Sequence, residues 1–259
     1  MIGSTGARNT DAARRSLPLS ITLPCWYNFR TRVQFEGRTL QSASNWDALR
    51  QSGEAGFAIP QARTEWEVLA ERNINLRARA EAIERLIRVW GTRQVVSVGV
   101  GTGMLEYVLK LRAPDVAIRC GEYAPATVQL LQNHFGDRAD VRQMDLRESS
   151  WAEPGDLVLL NRVDMELSDK EWRRSFSLLA HGGVTRIIFV PCGLMSPFSL
   201  VRQARILTAG VLRRQALTRT GWMRTPRRLI SLFSAQYRLS QSIPRDGFEV
   251  WGLEAYNES

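Results

Sequence analysis

The chain has 259 residues, of which 44% are hydrophobic, so it can bury one core of ordinary domain size. No apolar run approaches the roughly 18 residues that a membrane-spanning helix requires, so we expect no transmembrane segment. The formal net charge is +9, and the three cysteines, Cys25, Cys120 and Cys192, offer neither a disulfide framework nor metal-ligand spacing. These features predict a cytoplasmic protein without a metal site.

The N-terminal part, residues 1–62, shows no sustained hydrophobic period. We predict a disordered start followed by an irregular extension that packs on the main domain, which we place at residues 63–259. A short apolar stretch contains Pro18 and Pro24, and Pro24 stands where a secretion signal needs a small residue, so secretion is not expected. From residue 64 to residue 90, apolar residues recur at spacings of three and four, which predicts a helix.

A glycine loop follows this helix. The apolar run at residues 95–98 leads into Gly99, Gly101 and Gly103, and then into an apolar segment at residues 104–109. This order predicts a buried strand, a tight loop and a helix. Glycine suits such a loop because it lets the chain turn sharply and lets a ligand approach the backbone closely.

A second strand, predicted at residues 116–120, ends close to Glu122, about twenty residues after the loop, where a carboxylate can bind a ribose diol. A dinucleotide-binding motif would need glycine at position 104, but the chain has Met104. With its G-x-G-x-G loop and Glu122, the chain resembles the class I S-adenosylmethionine (SAM)-dependent methyltransferases, a Rossmann-like family. The resemblance covers about residues 63–256. It departs from the family at Ser97, where the family usually carries Asp or Glu.

The rest of the chain alternates helices and strands, as a parallel sheet covered on both faces requires. We predict helices at residues 124–135 and 168–180, and strands at residues 140–144, 155–161 and 184–190. The last two strands, at residues 234–239 and 248–255, have a joint that permits only an antiparallel hairpin. The expected α/β fold is therefore the Rossmann-like methyltransferase fold: a central, mostly parallel seven-stranded sheet with a terminal antiparallel hairpin and helices on both faces.

In an open parallel sheet, the ligand lies beyond the carboxyl ends of the strands. The resemblance implies that SAM is the cofactor and that the glycine loop approaches its methionine part. It also implies that Glu122 binds the ribose hydroxyls, and that Asp145 accepts a hydrogen bond from the adenine amino group. The candidate cofactor-binding residues are Gly99, Gly101, Gly103, Glu122, Tyr123, Asp145, Leu146 and Asn161.

By the same resemblance, residues 161–166 line the floor between cofactor and acceptor. Methyl transfer is an in-line displacement, so an enzyme contributes by positioning the acceptor and, for a hydroxyl, by removing its proton. Asp164 and Glu166 are the candidate catalytic carboxylates, and the alternative is that they belong to a solvated loop or cap the next helix. Cys192 either lines the acceptor pocket or is a buried bystander.

Residues 197–228 contain eight arginines and no acidic residue. We predict a basic helical insertion at about residues 197–224, over the acceptor site, with Arg202, Arg205 and Arg213 on one face. Such a face suits RNA, an anionic membrane surface or an acidic small molecule. An ordinary solvated helix face is the alternative.

The sequence thus predicts a SAM-dependent methyltransferase that acts on a small-molecule, glycan or lipid-linked acceptor, with transfer to oxygen as the first expectation. An RNA methyltransferase is one alternative, suggested by the charge. The other is a non-catalytic module that has kept the fold, suggested by Ser97 and by the lack of an obvious base.

Overall fold

The structure is a computed structural model. The residues that it describes are 19–29, 42–52, 58–60, 62–136, 139–148, 150–212, 217–245 and 247–256. None of the helices in these ranges is long and apolar enough to cross a membrane.

Strands and helices alternate along most of the described chain. The first elements are β1 (Thr22–Phe29), α1 (Ala43–Gln51), α2 (Arg63–Arg72), α3 (Ile74–Val89), β2 (Gln94–Val98), α4 (Met104–Arg112), β3 (Ala117–Glu122), α5 (Pro125–Phe135) and β4 (Asp140–Gln143). The remaining elements are β5 (Leu157–Asn161), α6 (Asp169–His181), β6 (Arg186–Val190), α7 (Pro197–Leu212), β7 (Leu217–Arg224), α8 (Pro226–Phe233), β8 (Tyr237–Arg245) and β9 (Phe248–Ala255).

The central sheet has seven strands in the order β4-β3-β2-β5-β6-β9-β8. The first five strands in this order are parallel, and β9 runs antiparallel to both β6 and β8. This topology confirms the predicted fold. After β2 the chain moves outward to β3 and β4 and then returns to β5, so the strand order reverses between β2 and β5. A crevice for a ligand is expected at that point, beyond the carboxyl ends of the strands.

Helices cover both faces of the sheet, as predicted. Along β5, Leu157 and Leu159 belong to the core cluster that includes α3, α4 and α5, whereas Val158 and Leu160 belong to the cluster that includes α6 and α8. Residues 157–160 of this strand are all apolar because successive side chains point to opposite faces and both faces are buried. Ser168 and Glu171 form the predicted capping box at the start of α6.

Two parts of the chain have more regular structure than the sequence predicted. Within residues 1–62, predicted to be irregular, β1 and α1 are formed, while residues 1–18 lie outside the described residues. In the described residues of the insertion at 197–224, α7 is the helical part and β7 is a strand that pairs antiparallel with β1 in a separate two-stranded ribbon. Local periodicity could not reveal this pairing, since the two strands are distant in sequence.

The terminal hairpin also differs in detail from its prediction. The strand predicted at residues 234–239 begins only at Tyr237 and continues to Arg245. Before it lies α8, a helix that we did not predict, which begins with Pro226 and is capped by the Thr225 side chain. This helix packs Leu229, Leu232 and Phe233 into the core.

Candidate functional site

The glycine loop after β2 has the conformation that its sequence requires. Gly99, Gly101 and Gly103 have φ values of 75°, 60° and 72°, a region that side chains disfavour. A Cβ atom at Gly99 would lie 2.3 Å from Cγ1 of Val163, and one at Gly103 would lie 2.8 Å from the Phe135 ring. The loop is therefore closely packed, and Gly103 is the N-cap residue that directly precedes α4.

Glu122, at the carboxyl end of β3, is bound to this loop. Its Oε2 atom accepts a hydrogen bond from the Gly101 amide at 2.7 Å, and its Oε1 atom accepts one from the Tyr123 amide at 2.8 Å. The side chain is 7% exposed. Oε1 also accepts a longer hydrogen bond from the Ala124 amide at 3.4 Å, so the further lone pair is on Oε2, where Glu122 can accept a hydrogen bond from a ligand hydroxyl. The predicted ribose-binding carboxylate and glycine loop thus lie side by side.

Arg147 contacts the residues predicted to surround adenine, although the sequence did not indicate it. Its guanidinium carbon lies 5.1 Å from the centroid of the Tyr123 ring. Its Nη1 atom donates to Oδ2 of Asp145 at 3.0 Å, and its amide donates to Oδ1 at 2.9 Å. Leu146 packs against the neighbouring core cluster. Asp145 therefore already holds Arg147, and its contact with adenine stays a prediction.

Asp164 and Glu166, the two predicted catalytic carboxylates, differ in their surroundings. Asp164 is 2% exposed, and its oxygens accept hydrogen bonds from the amides of Cys192 and Gly193 at 2.8 and 2.7 Å. These contacts brace the chain after β6 and favour a structural role. Burial raises the pKa of Glu166 to about 8, and the charges of Asp164 and Glu122 add to the effect. A carboxyl with this pKa suits proton transfer near neutral pH, and the catalytic role of either carboxylate stays a prediction.

Helix α1 lies over the crevice, and no sequence pattern indicated this. Asp47 accepts hydrogen bonds from the Ala126 and Thr127 amides at 3.2 and 2.8 Å, which caps the start of α5. A Cβ atom at Gly101 would lie 2.7 Å from Nη2 of Arg50, so the guanidinium lies against the glycine loop. Burial lowers the pKa of Arg50, whereas Glu122 and Glu166 raise it. The helix therefore brings a buried cation to the predicted cofactor site.

Trp46, one turn before Arg50, links α1 to the candidate catalytic group. Its side chain lies close enough to Glu166 to lower the pKa of that carboxyl. The Arg50 guanidinium carbon lies 5.1 Å from the centroid of the Trp46 ring, in a cation–π contact. A segment predicted to be an irregular extension thus contributes two side chains to the crevice.

Ser97, which stands where the resembling family usually carries an acid, is hydrogen-bonded to one. Its hydroxyl donates to Oε1 of Glu106 at 2.6 Å. Glu106 lies on α4 and is 1% exposed. Burial raises the pKa of Glu106 to about 7, while the hydrogen bond from Ser97 lowers it. The carboxyl that β2 lacks is thus supplied by the following helix.

An apolar cluster lies beyond the ends of β5 and β6. Its buried members are Met165, Met195 and Met223, and Cys192 packs against them. The β1–β7 ribbon closes over this cluster and is held by Arg224, which is 1% exposed and donates to Oδ1 of Asp169 at 2.7 Å. Arg224 also donates to the main-chain oxygens of Asp164 and Leu167. Cys192 thus packs against a buried apolar cluster, and its place in an acceptor pocket stays a prediction.

The structure describes only part of the basic segment at residues 197–228. Arg205 is exposed on α7, while the side chains of Arg202 and Arg213 lie outside the described residues. Arg224 and Arg228 both pair with Asp169, at 2.7 Å each. Two of the eight arginines are therefore structural, and the RNA or membrane contact stays a prediction.

No protein-family model and no curated protein matches the chain. Solved structures do match it. Human N-acetylserotonin methyltransferase in complex with SAM is 18% identical, with a TM-score of 0.58, over 83% of this chain and 57% of that one. The PH0226 protein from Pyrococcus horikoshii OT3 is 11% identical, with a TM-score of 0.54, over 75% of this chain and all of that one. The pyocyanin biosynthetic protein PhzM is 15% identical, with a TM-score of 0.53, over 74% of this chain and 62% of that one.

The chain thus spans less than two thirds of the length of two of these three structures. At such identities, the likeness establishes the fold. The chain has the Rossmann-like fold of these structures, the first of which is named a methyltransferase, and this agrees with the resemblance that its glycine loop indicated.

Proposed function

We propose that this chain, which has the class I methyltransferase fold, is a SAM-dependent methyltransferase with SAM as its cofactor. The observation that carries the proposal is Glu122, a buried carboxylate at the carboxyl end of β3 that holds Gly101 of the glycine loop. It lies where the strand order reverses, which is where such folds bind nucleotides. We also propose that the protein works in the cytoplasm, since the buried Cys120 is a free thiol.

The described residues fit the chemical groups of SAM. Oδ1 of Asn161 and Oε2 of Glu106 are buried and have no hydrogen-bond partner among the described residues. An ammonium group supplies the donors that such oxygens need. Oε2 of Glu122 has a lone pair for a ribose hydroxyl, and Tyr123 and Leu146 offer apolar surface for adenine. When bound, SAM supplies an electrophilic methyl group on its sulfonium sulfur.

In this proposal Glu166 removes the proton from an acceptor hydroxyl. Its raised pKa, about 8, makes its carboxylate a stronger base than an exposed glutamate. Trp46 and the positive charge of Arg50 lie near Glu166, and both lower the pKa of its carboxyl. Asp164 acts indirectly, because it holds the Cys192 and Gly193 amides that shape the acceptor side.

The acceptor that we propose is a small molecule, a glycan or a lipid-linked intermediate, methylated on oxygen. The apolar cluster around Met165 and Met195 supports an acceptor with an apolar body. The names of two similar structures also support a small-molecule acceptor. They are N-acetylserotonin methyltransferase and the mitomycin 7-O-methyltransferase MmcR, the latter 14% identical with a TM-score of 0.51.

Calorimetry with SAM and S-adenosylhomocysteine (SAH) tests the cofactor, and methyl-transfer assays over acceptor panels test the reaction. We expect both ligands to bind and hydroxyl-bearing acceptors to be methylated. Failure of both ligands to bind would contradict the proposal. Tight binding without turnover on any acceptor would favour the non-catalytic module.

The arginines of the insertion are proposed to contact an anionic acceptor or surface, with RNA as the alternative partner. A variant with Arg202, Arg205 and Arg213 changed to Gln should lose binding to anionic vesicles, or show a raised KM for the acceptor, at unchanged SAH affinity. A steep fall of RNA affinity with salt would instead indicate counterion release from a nucleic acid. The control replaces exposed arginines of α2 and α3, namely Arg72, Arg77 and Arg85. Unaltered behaviour in every assay would leave a plain solvated face.

A further inference from the structure

The chain segment between β5 and α6 is held to the β1–β7 ribbon by its main-chain oxygens. The Arg224 guanidinium donates hydrogen bonds to the main-chain oxygens of Asp164 and Leu167. Between these two contacts, the Trp222 amide donates to the main-chain oxygen of Met165 at 2.8 Å. Strand β7 therefore binds three main-chain oxygens of this segment.

Glu166 lies inside this set of contacts, between Met165 and Leu167. Its amide donates to the main-chain oxygen of Val163 at 3.0 Å, so the backbone turns sharply here. Gly221 of β7 packs so closely on this turn that a Cβ atom there would collide with the main-chain oxygen of Met165. The backbone on both sides of Glu166 is thus fixed by β7, and the direction of the Glu166 side chain depends on that backbone.

Arg162, near the start of this segment, has a strained backbone. Its φ is 63°, and in the described part of the chain it is the one residue other than glycine with a positive φ. Such a conformation is costly for a residue with a side chain, and it persists only where the surrounding contacts impose it. The Arg162 amide donates to the main-chain oxygen of Val190 at 2.8 Å. Contacts from β6 and β7 therefore impose the shape of the segment.

Arg224 can hold the segment because it is itself fixed. It is 1% exposed, and its Nε atom donates to Oδ1 of Asp169, the first residue of α6, at 2.7 Å. The Thr22 hydroxyl, on β1, donates to Oδ2 of the same carboxylate at 2.8 Å. The donors of a guanidinium lie in one plane on several nitrogen atoms, so one arginine can bind a carboxylate and two carbonyl groups at once. A lysine has a single nitrogen and cannot reproduce this arrangement.

We propose that Arg224 is a positioning residue for Glu166, on which it acts through the backbone of the segment that it holds. This inference rests on the proposed function, in which Glu166 removes the proton of the acceptor. The ionisable groups that face the Glu166 carboxyl are Asp164, Glu122 and Arg50. Burial is the largest of the causes that raise its pKa to about 8. A loosened segment would let the carboxyl reach water, so its pKa would fall toward the ordinary value of a glutamate.

The test is a pH titration of Glu166 in the wild-type protein and in Arg224→Lys. Isotope-labelled glutamate carboxyls are followed by NMR, and Glu166→Gln assigns the signal. We expect Arg224→Lys to lower the pKa of Glu166 by at least about 1. A less stable Arg224→Lys variant with an unchanged Glu166 pKa would show that the ribbon is only structural, and would overturn the inference.

Arg228→Lys is the matched control. The Arg228 guanidinium binds the same Asp169 at 2.7 Å but, among the described residues, none of the three main-chain oxygens. The control should therefore leave the Glu166 pKa unchanged. An equal fall in both variants would assign the effect to the Asp169 pair and overturn the inference.

If Arg224→Lys does not fold, Asp169→Asn keeps the shape of the carboxylate but removes the charge that anchors Arg224. It should lower the Glu166 pKa in the same direction, with Arg228→Lys still unchanged, and no change would overturn the inference. The titration needs neither cofactor nor acceptor. Its failure is therefore distinguishable from a failure of SAH to bind, which would overturn the proposed function.

Discussion

Replacing Glu122 with glutamine tests the cofactor site and the glycine loop in one variant. In the native protein, the two carboxylate oxygens accept hydrogen bonds from the Gly101 and Tyr123 amides at 2.7 and 2.8 Å. Glutamine keeps the shape but offers one neutral oxygen, and its N–H group faces the other amide. A hydrogen bond to a charged group contributes about 1.5–3 kcal/mol, so Glu122→Gln should lower the free energy of unfolding by about 2–4 kcal/mol.

Cofactor binding should fall as well, because a neutral amide accepts ribose hydroxyls less strongly than a carboxylate does. Urea denaturation measures the stability. Calorimetry, at a temperature where the variant is folded, should show SAH affinity at least tenfold weaker, or about 1.4 kcal/mol. Glu81→Gln, on the exposed face of α3, is the control and should stay within about 0.5 kcal/mol of wild type. Unchanged SAH affinity would remove Glu122 from the site, and unchanged stability would show that the loop does not depend on it.

Three further substitutions test the loop, the candidate base and α1. Gly103→Ala should lower the free energy of unfolding by about 2–4 kcal/mol, because φ is 72° and a Cβ atom would lie 2.8 Å from Phe135. The control is Gly91→Ala, with φ of 63° and open space, which should lose about 1–2 kcal/mol; equal losses would refute the packing argument. The unfolding free energy of Glu166→Gln should rise relative to wild type as pH rises from about 5 to 8, by at most about 1.4 kcal/mol per pH unit. The reason is that Glu166 has a native pKa of about 8, so it ionises in the unfolded wild-type protein at lower pH than in the folded one, which destabilises the wild type. A pH-independent difference in unfolding free energy would contradict that pKa. Asp47→Ala should speed hydrogen exchange in α1 at least about tenfold, since the helix loses its three hydrogen bonds to α5; unchanged exchange would show that other contacts hold it.

The elements that the sequence predicted well are those whose signals are local. The glycine loop was recognisable because the glycines in residues 99–103 directly follow an apolar strand. The structure places Glu122 against this loop. The capping box of Ser168 and Glu171 was recognisable from their spacing. The terminal antiparallel strands followed from the shortness of the joint between them, although β8 begins three residues later than predicted.

The candidate site was predicted less completely, because several of its residues come from distant parts of the chain. Arg50 lies against Gly101, and nothing in the segment around it indicates that contact. Asp164 was predicted to be catalytic because it follows a strand. Its carboxylate instead accepts hydrogen bonds from two backbone amides, which no sequence pattern predicts. Glu106 could have been considered, since it is an acid in the first turn of the helix after the loop.

By itself, the sequence determined the fold class, the glycine loop and the carboxylate at the end of the second sheet strand, since these depend on residue type and short spacings. Only the tertiary structure decided that β1 pairs with β7 and that α1 brings Arg50 against Gly101 of the glycine loop. Such contacts join elements that are far apart in the chain. They depend on how the helices and the sheet pack, and a single sequence carries no periodic signal for that packing.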